Sequence, residues 1–115
     1  MKKLDLTVGQ IIGATLVLNE VKGGIIDINM AMKILDRIEL TEEEKKTVGL
    51  EMKTPGTYSW TDEKFTKVIE LSDDHVKLLV AQIKEKKDFT VFGGKYVVQL
   101  AEKIDPEMLK EDEKK

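Results

Sequence analysis

The chain has no cysteine among its 115 residues. That excludes a disulfide framework, a thiolate metal site and a thiol nucleophile. It has one histidine, so an imidazole cluster is excluded as well. Aromatic residues make up only 5%, and there is one tryptophan. A core must therefore be built from Ile, Leu, Val and Met. No apolar run approaches the roughly 18–20 residues that span a bilayer. The apolar stretch 11–18 has no small-residue cleavage site after it and continues into a polar segment, which argues against a signal peptide. Without cysteine or a targeting segment, a cytoplasmic location is expected, with no membrane contact.

Charge of one sign is also lacking. The formal net charge is −3. Residues 1–57 carry eight basic and nine acidic groups, and residues 58–115 carry eleven and thirteen. Neither half has the positive excess of a non-specific nucleic-acid binder. Hydrophobic residues at 41% and charged residues at 36% fit a folded domain rather than a disordered chain. A folded chain of this size hides about two-thirds of the surface of its unfolded form, enough for one core.

Helix signals dominate what is present. Thr7 with Gln10 has capping-box spacing, and Leu6 with Ile11 has that of a hydrophobic staple. Val8, Ile11, Ile12, Thr15, Leu18 and Val21 form a stripe, predicting a helix over 8–21 that Gly23-Gly24 ends. Asp27 is the expected cap of a second helix with Ile28, Ala31, Met32, Leu35 and Ile38 inward. Thr41 with Glu44 predicts a short third helix over 42–50.

Pro55-Gly56 marks a turn. Thr57–Trp60 and Thr66–Leu71 are rich in strand formers and are read as a β-hairpin across the polar residues 61–64, with a helix from 62 as the competing reading. Ser72 then caps a helix over 73–86, with Val76, Leu79, Val80 and Ile83 inward and Leu71 as the staple. Phe89 to Phe92 reads as a short extended piece stopped by Gly93-Gly94. A last helix over 95–104 turns Val97, Leu100, Ala101 and Ile104 inward. The expected fold is a mostly helical α+β domain over 1–106, with about five helices and one hairpin near 57–71. Residues 107–115 are expected to be a charged, flexible tail.

Few residues offer chemistry. Gly93-Gly94-Lys95 lacks both the earlier glycine and the following Ser or Thr of a phosphate loop. Asp73-Asp74-His75 lacks further ligands, and its acids suit a helix start. Lys84-Glu85-Lys86-Lys87 suits a helix end. No catalytic residue, cofactor or metal ligand is assigned, and the chain is expected not to be an enzyme. The candidates left are contact residues. Gly9 and Gly13, four apart in a helix, cost roughly 2 kcal/mol relative to alanine and imply close packing, within the chain or against a second copy. Tyr58 and Trp60 are expected on one face of a strand, buried or displayed as a binding surface.

Two stretches carry a resemblance. One is Leu6-Thr7-Val8-Gly9-Gln10-Ile11-Ile12 running to Asn19-Glu20-Val21. The other is Ser59-Trp60, then Ile69-Glu70-Leu71-Ser72-Asp73-Asp74, the apolar helix and Leu100-Ala101-Glu102-Lys103-Ile104. Together they resemble small proteins of tailed bacteriophages and prophages. The likeness covers about half the chain, in order and pattern. It implies an accessory role in assembly, chaperoning or host interference, and supplies no catalytic residues. Two functions are therefore carried forward: a non-catalytic protein that binds a protein partner or itself, and a winged-helix DNA-binding protein. The order helix, helix, short helix, hairpin favours the second. Glu42-Glu43-Glu44 at the start of its groove-entering helix oppose it.

Overall fold

The first six described residues, which helix reasoning passes over, are a strand. The computed structural model describes residues 2–54, 57–62, 64–86, 89 and 91–106; the expected tail and the Pro55-Gly56 turn lie outside them. Strand β1 (Lys2–Thr7) alternates exposed and buried positions, with Leu4 and Leu6 inward. It pairs antiparallel with β4 (Thr66–Leu71), so that Leu4 sits across from Ile69 and Lys2 across from Leu71. One face of this two-stranded sheet is apolar and the other carries the Lys3–Glu70 ion pair.

Lysines at the ends of the inner face are used rather than hidden. Lys2 Nζ donates to Ile104 O at 3.0 Å, and Lys67 Nζ donates to Glu39 O at 2.8 Å. Both carbonyls lie at helix C-terminal ends, where a cation meets the negative end of the dipole. Cations also cover the sheet's outer edges: Arg37 donates to Glu70 O and Lys103 to Asp5 O. An edge strand left open invites further pairing.

Thr7 ends β1 and caps α1 (Val8–Leu18), with the predicted capping box to Gln10 in place. The helix stops at Asn19, before Gly23-Gly24. Gly23 instead takes a positive φ of 152° in the connection, and Gly24 rather than Asp27 caps α2 (Ile25–Ile38). Along α2 the buried residues are Ala31, Ile34 and Ile38; Met32, expected inward, is 58% exposed. The Thr41–Glu44 capping box starts α3 (Glu42–Val48). Gly49 closes α3 in the left-handed conformation at φ 67°. A Cβ there would also lie 2.5 Å from Thr61 Oγ1, so only glycine fits this position.

Strands are present near 57–71 as expected, but they do not pair with each other. β3 (Thr57–Ser59) pairs with β2 (Glu51–Thr54), and β4 pairs with β1. The hairpin is thus the shorter one at 51–59, and residues 61–64 connect two different sheets. Ser72 caps α4 (Asp73–Glu85), burying Leu79 and Ile83. The last helix, α5, is longer than expected. It spans Val91–Ile104 and runs through Gly93-Gly94, so Val91 and Phe92 are helical where an extended piece was expected and the glycines do not stop the chain; Thr90 lies outside the described residues. Val97, Leu100, Ala101 and Ile104 are buried as predicted.

The fold is therefore mostly helical α+β, with five helices and two small antiparallel sheets among the described residues. Helix α1 lies at its centre, with Val8, Ile11, Ala14, Val17 and Leu18 all buried. No helix among the described residues is long and apolar enough to cross a membrane.

Candidate functional site

A helix buried on most sides leaves an uncovered stripe conspicuous. On α1 that stripe is Ile12, Thr15, Leu16 and Asn19, spaced at one face of a helical turn. Ile12 and Thr15 are half-buried, and Leu16 is 41% exposed. Across from it stand Leu50, Met52 and Tyr58, delivered by the β2–β3 hairpin. Met52 and Tyr58 are register partners on adjacent strands, so their side chains share one face of the hairpin. Between the two walls lies an open cleft of about 480 Å³. Glu39 and Lys45 line it as well, with Leu40 and Ile11 at its base.

The hairpin is held in place from one end. Thr61 N, Asp62 N and Thr61 Oγ1 all donate to Val48 O, at 2.8, 3.2 and 3.1 Å. The Gly49 turn and this triple acceptor set the hairpin's angle to α3. The α3 start is in turn fixed by Glu44, whose Oε1 accepts from Thr41 N at 2.8 Å and from Lys67 Nζ at 2.9 Å. The Thr41 amide, then Lys67, holds the Glu44 carboxyl below its ordinary range, against partial burial that acts the other way.

The sequence candidates divide between this cleft and the core. Tyr58 lines the cleft, half-buried. Trp60 lies just past the end of β3 and stacks edge-on against Tyr96, with ring centroids 5.6 Å apart. The two aromatics therefore do not make one surface. Gly9 and Gly13 are both buried beneath α5. A Cβ on Gly9 would enter the Tyr96 ring, and one on Gly13 would lie 3.2 Å from Val97 Cγ2. The glycine pair thus accommodates a helix of the same chain. Sequence reasoning missed Leu16, Leu50 and Met52. No spacing in the sequence set Leu16 apart: Ile12 and Thr15, read as part of the buried stripe, are half-buried and line the cleft with it.

The polar clusters stay apart from the cleft. Asp73, Asp74 and His75 occupy the first turn of α4, with Ser72 Oγ accepting from His75 N. Among the described residues no three His, Asp or Glu side chains converge as metal ligands. Lys95 is in the body of α5, not in a loop, and Lys86 pairs with Glu20 at 2.7 Å; Lys87 lies outside the described residues. Gln10, the one buried polar side chain among the described residues, is hydrogen-bonded at both ends of its amide. Its Oε1 accepts from Thr7 N and from Lys103 Nζ, and its Nε2 donates to Gln99 Oε1. That network joins β1, α1 and α5 and is structural.

The cleft walls set apolar Ile12, Leu16, Leu50 and Met52 among polar Thr15, Asn19 and the Tyr58 ring, and Glu39 and Lys45 add one acid and one base. Against known proteins, no family model, no curated protein and no solved structure matches this chain.

Proposed function

We propose that the chain is a non-catalytic interaction protein that binds a protein partner through the cleft between α1 and the β2–β3 hairpin. One observation carries this reading. Ile12 and Leu16 on the central helix are left open, with Thr15 and Asn19 beside them, and Leu50, Met52 and Tyr58 face them across the cleft. Apolar area left in water forgoes about 25 cal/mol per Å², and an open patch with a charged margin is the usual form of a contact site. The likeness to phage and prophage proteins supports an accessory or assembly role in the cytoplasm, that of the host if the chain is phage-encoded.

The test is photo-cross-linking from a benzophenone side chain placed at Met52, with one at Val68 on the sheet's outer face as the control. Both positions are exposed, at 61% and 58%. The reading expects a polypeptide adduct from Met52 and none from Val68. No adduct from Met52 in the cells that make the protein overturns it.

A winged-helix DNA-binding reading keeps the order α1, α2, α3, hairpin in its favour. Against it, α3 has only seven residues and three glutamates in its first turn, and β1 precedes α1. A mobility-shift assay at low salt tests it; a salt-sensitive shift would favour DNA over protein.

A further inference from the structure

Attachments gather at the base of the β2–β3 hairpin. On one limb Leu50 N donates to Lys45 O at 3.0 Å. On the other, Thr61 N, Asp62 N and Thr61 Oγ1 converge on Val48 O. Leu50 and Trp60, which flank the two strands, pack on the core, and the Tyr96 ring braces Trp60. One rung farther out, Met52 and Tyr58 pair across the hairpin and line the cleft. Met52 is 61% exposed and Tyr58 is half-buried. The hairpin thus has a fixed foot and an apolar rung that faces α1 across a gap.

The foot is built as a joint. Three donors meet at one acceptor atom, and a carbonyl oxygen accepts over a broad range of directions. Such a clip restrains the position of the hairpin more than its angle. Gly49, in the left-handed conformation, makes the turn into the other limb.

We infer that the β2–β3 hairpin is a flap, which pivots about Gly49 and Val48 O to seat Met52 against Leu16, so that closure and a bound partner exclude each other. This rests on the reading of the cleft as a contact surface and says how access to it is regulated. Leu16 and Met52 both leave apolar surface in water, at 41% and 61% exposure, and closure covers both without a second molecule. Met52 stands three residues beyond Gly49. That is about 10 Å along the strand, so a pivot of about 30° carries Met52 about 5 Å. The charges lining the cleft can stay in water, since Glu39 is exposed and Lys45 pairs with Glu42 on the surface of α3. Covering two side chains is a small gain, which suits a flap that a partner displaces.

The chain has no cysteine, so a pair introduced by Leu16→Cys and Met52→Cys has no competitor. A disulfide needs Cβ atoms about 4 Å apart. The test is the rate of bonding within the monomeric chain in a glutathione buffer, read as loss of free thiol. Both positions are exposed, and circular dichroism checks that the variants stay folded. The pair is expected to bond. Adding Thr61→Val, which removes one of the three bonds to Val48 O, should speed bonding about fivefold. A pair that stays reduced overturns the inference. So does a pair that bonds at one rate with or without the Thr61 hydroxyl, the behaviour of two side chains already in place.

A benzophenone at Asn19, an exposed residue of the α1 wall, then ties closure to the partner. The bonded chain should give about tenfold less polypeptide adduct than the reduced one; equal adducts overturn the inference. If the pair stays reduced while Met52 still cross-links to a polypeptide, the flap fails and the cleft reading stands. If the pair bonds and Met52 cross-links to nothing, the partner reading fails and its regulation with it.

Discussion

The two faces of α1 obey different rules. The side toward α5 is closely fitted: Gly9 leaves room for the Tyr96 ring, Gly13 approaches Val97, and Gln10 bonds to Thr7, Lys103 and Gln99. On the side toward the hairpin, Ile12 and Leu16 face an open cleft. The same helix thus spends small residues to close one contact and leaves large apolar residues without one. The difference teaches that the open face is not a failure of packing. The chain packs closely toward α5, and on the proposed reading the apolar residues left open at the hairpin end are the ones that meet a partner.

Mutations can sharpen that contrast, and the largest effect belongs to the closed side. Leu100 is fully buried, and Leu100→Ala should cost about 3 kcal/mol by removing its contacts and leaving a cavity; thermal unfolding measures it. Gly9→Ala should follow at about 2 kcal/mol, although alanine is the better helix former, because the Tyr96 ring is held by Trp60 on one side and cannot turn away freely. A stabilised Gly9→Ala variant would contradict the close approach.

Gly49→Ala should cost about 1–2 kcal/mol through its positive φ and the Thr61 hydroxyl. Its more telling effect is local. Amide exchange in 50–60 should quicken while that in α5 is unchanged. Smaller again is the pH effect of Glu44. Its carboxyl titrates lower when folded than the ordinary 4.5. The stability it adds is therefore fully present above the unfolded value and is lost as pH falls through the folded one. Glu44→Gln should remove that acid-side dependence, and denaturant melts from neutral pH down to acid pH measure it. Least of all, Leu16→Glu and Met52→Glu should move unfolding stability by less than about 0.5 kcal/mol. An open-side variant as costly as Leu100→Ala would erase the contrast.

What was legible in the sequence was local. Thr7 with Gln10, Thr41 with Glu44, and Ser72 each mark a helix start within four residues, and all three starts are where they were read. The inward residues of α5 were legible from spacing alone. Pairing was not, because it depends on residues far apart. Leu4 and Leu6 alternate with Lys3 and Asp5, but the strand they make is recognisable only with β4, more than sixty residues on. Gly93-Gly94 looked like a stop because two glycines favour one by local propensity, yet α5 runs through them. The cleft was half legible. Tyr58 was a candidate from its residue type, whereas Met52 and Leu16 became candidates only once the fold showed which faces stay uncovered.

The central claim is the proposal that this molecule makes its contacts through the cleft between α1 and the hairpin. Photo-cross-linking from Leu16, on the wall opposite Met52, tests it most directly. The account predicts a polypeptide adduct from a probe at Leu16 and none from one at Val98, exposed elsewhere on α5. An adduct from Val98 with none from Leu16 would contradict it.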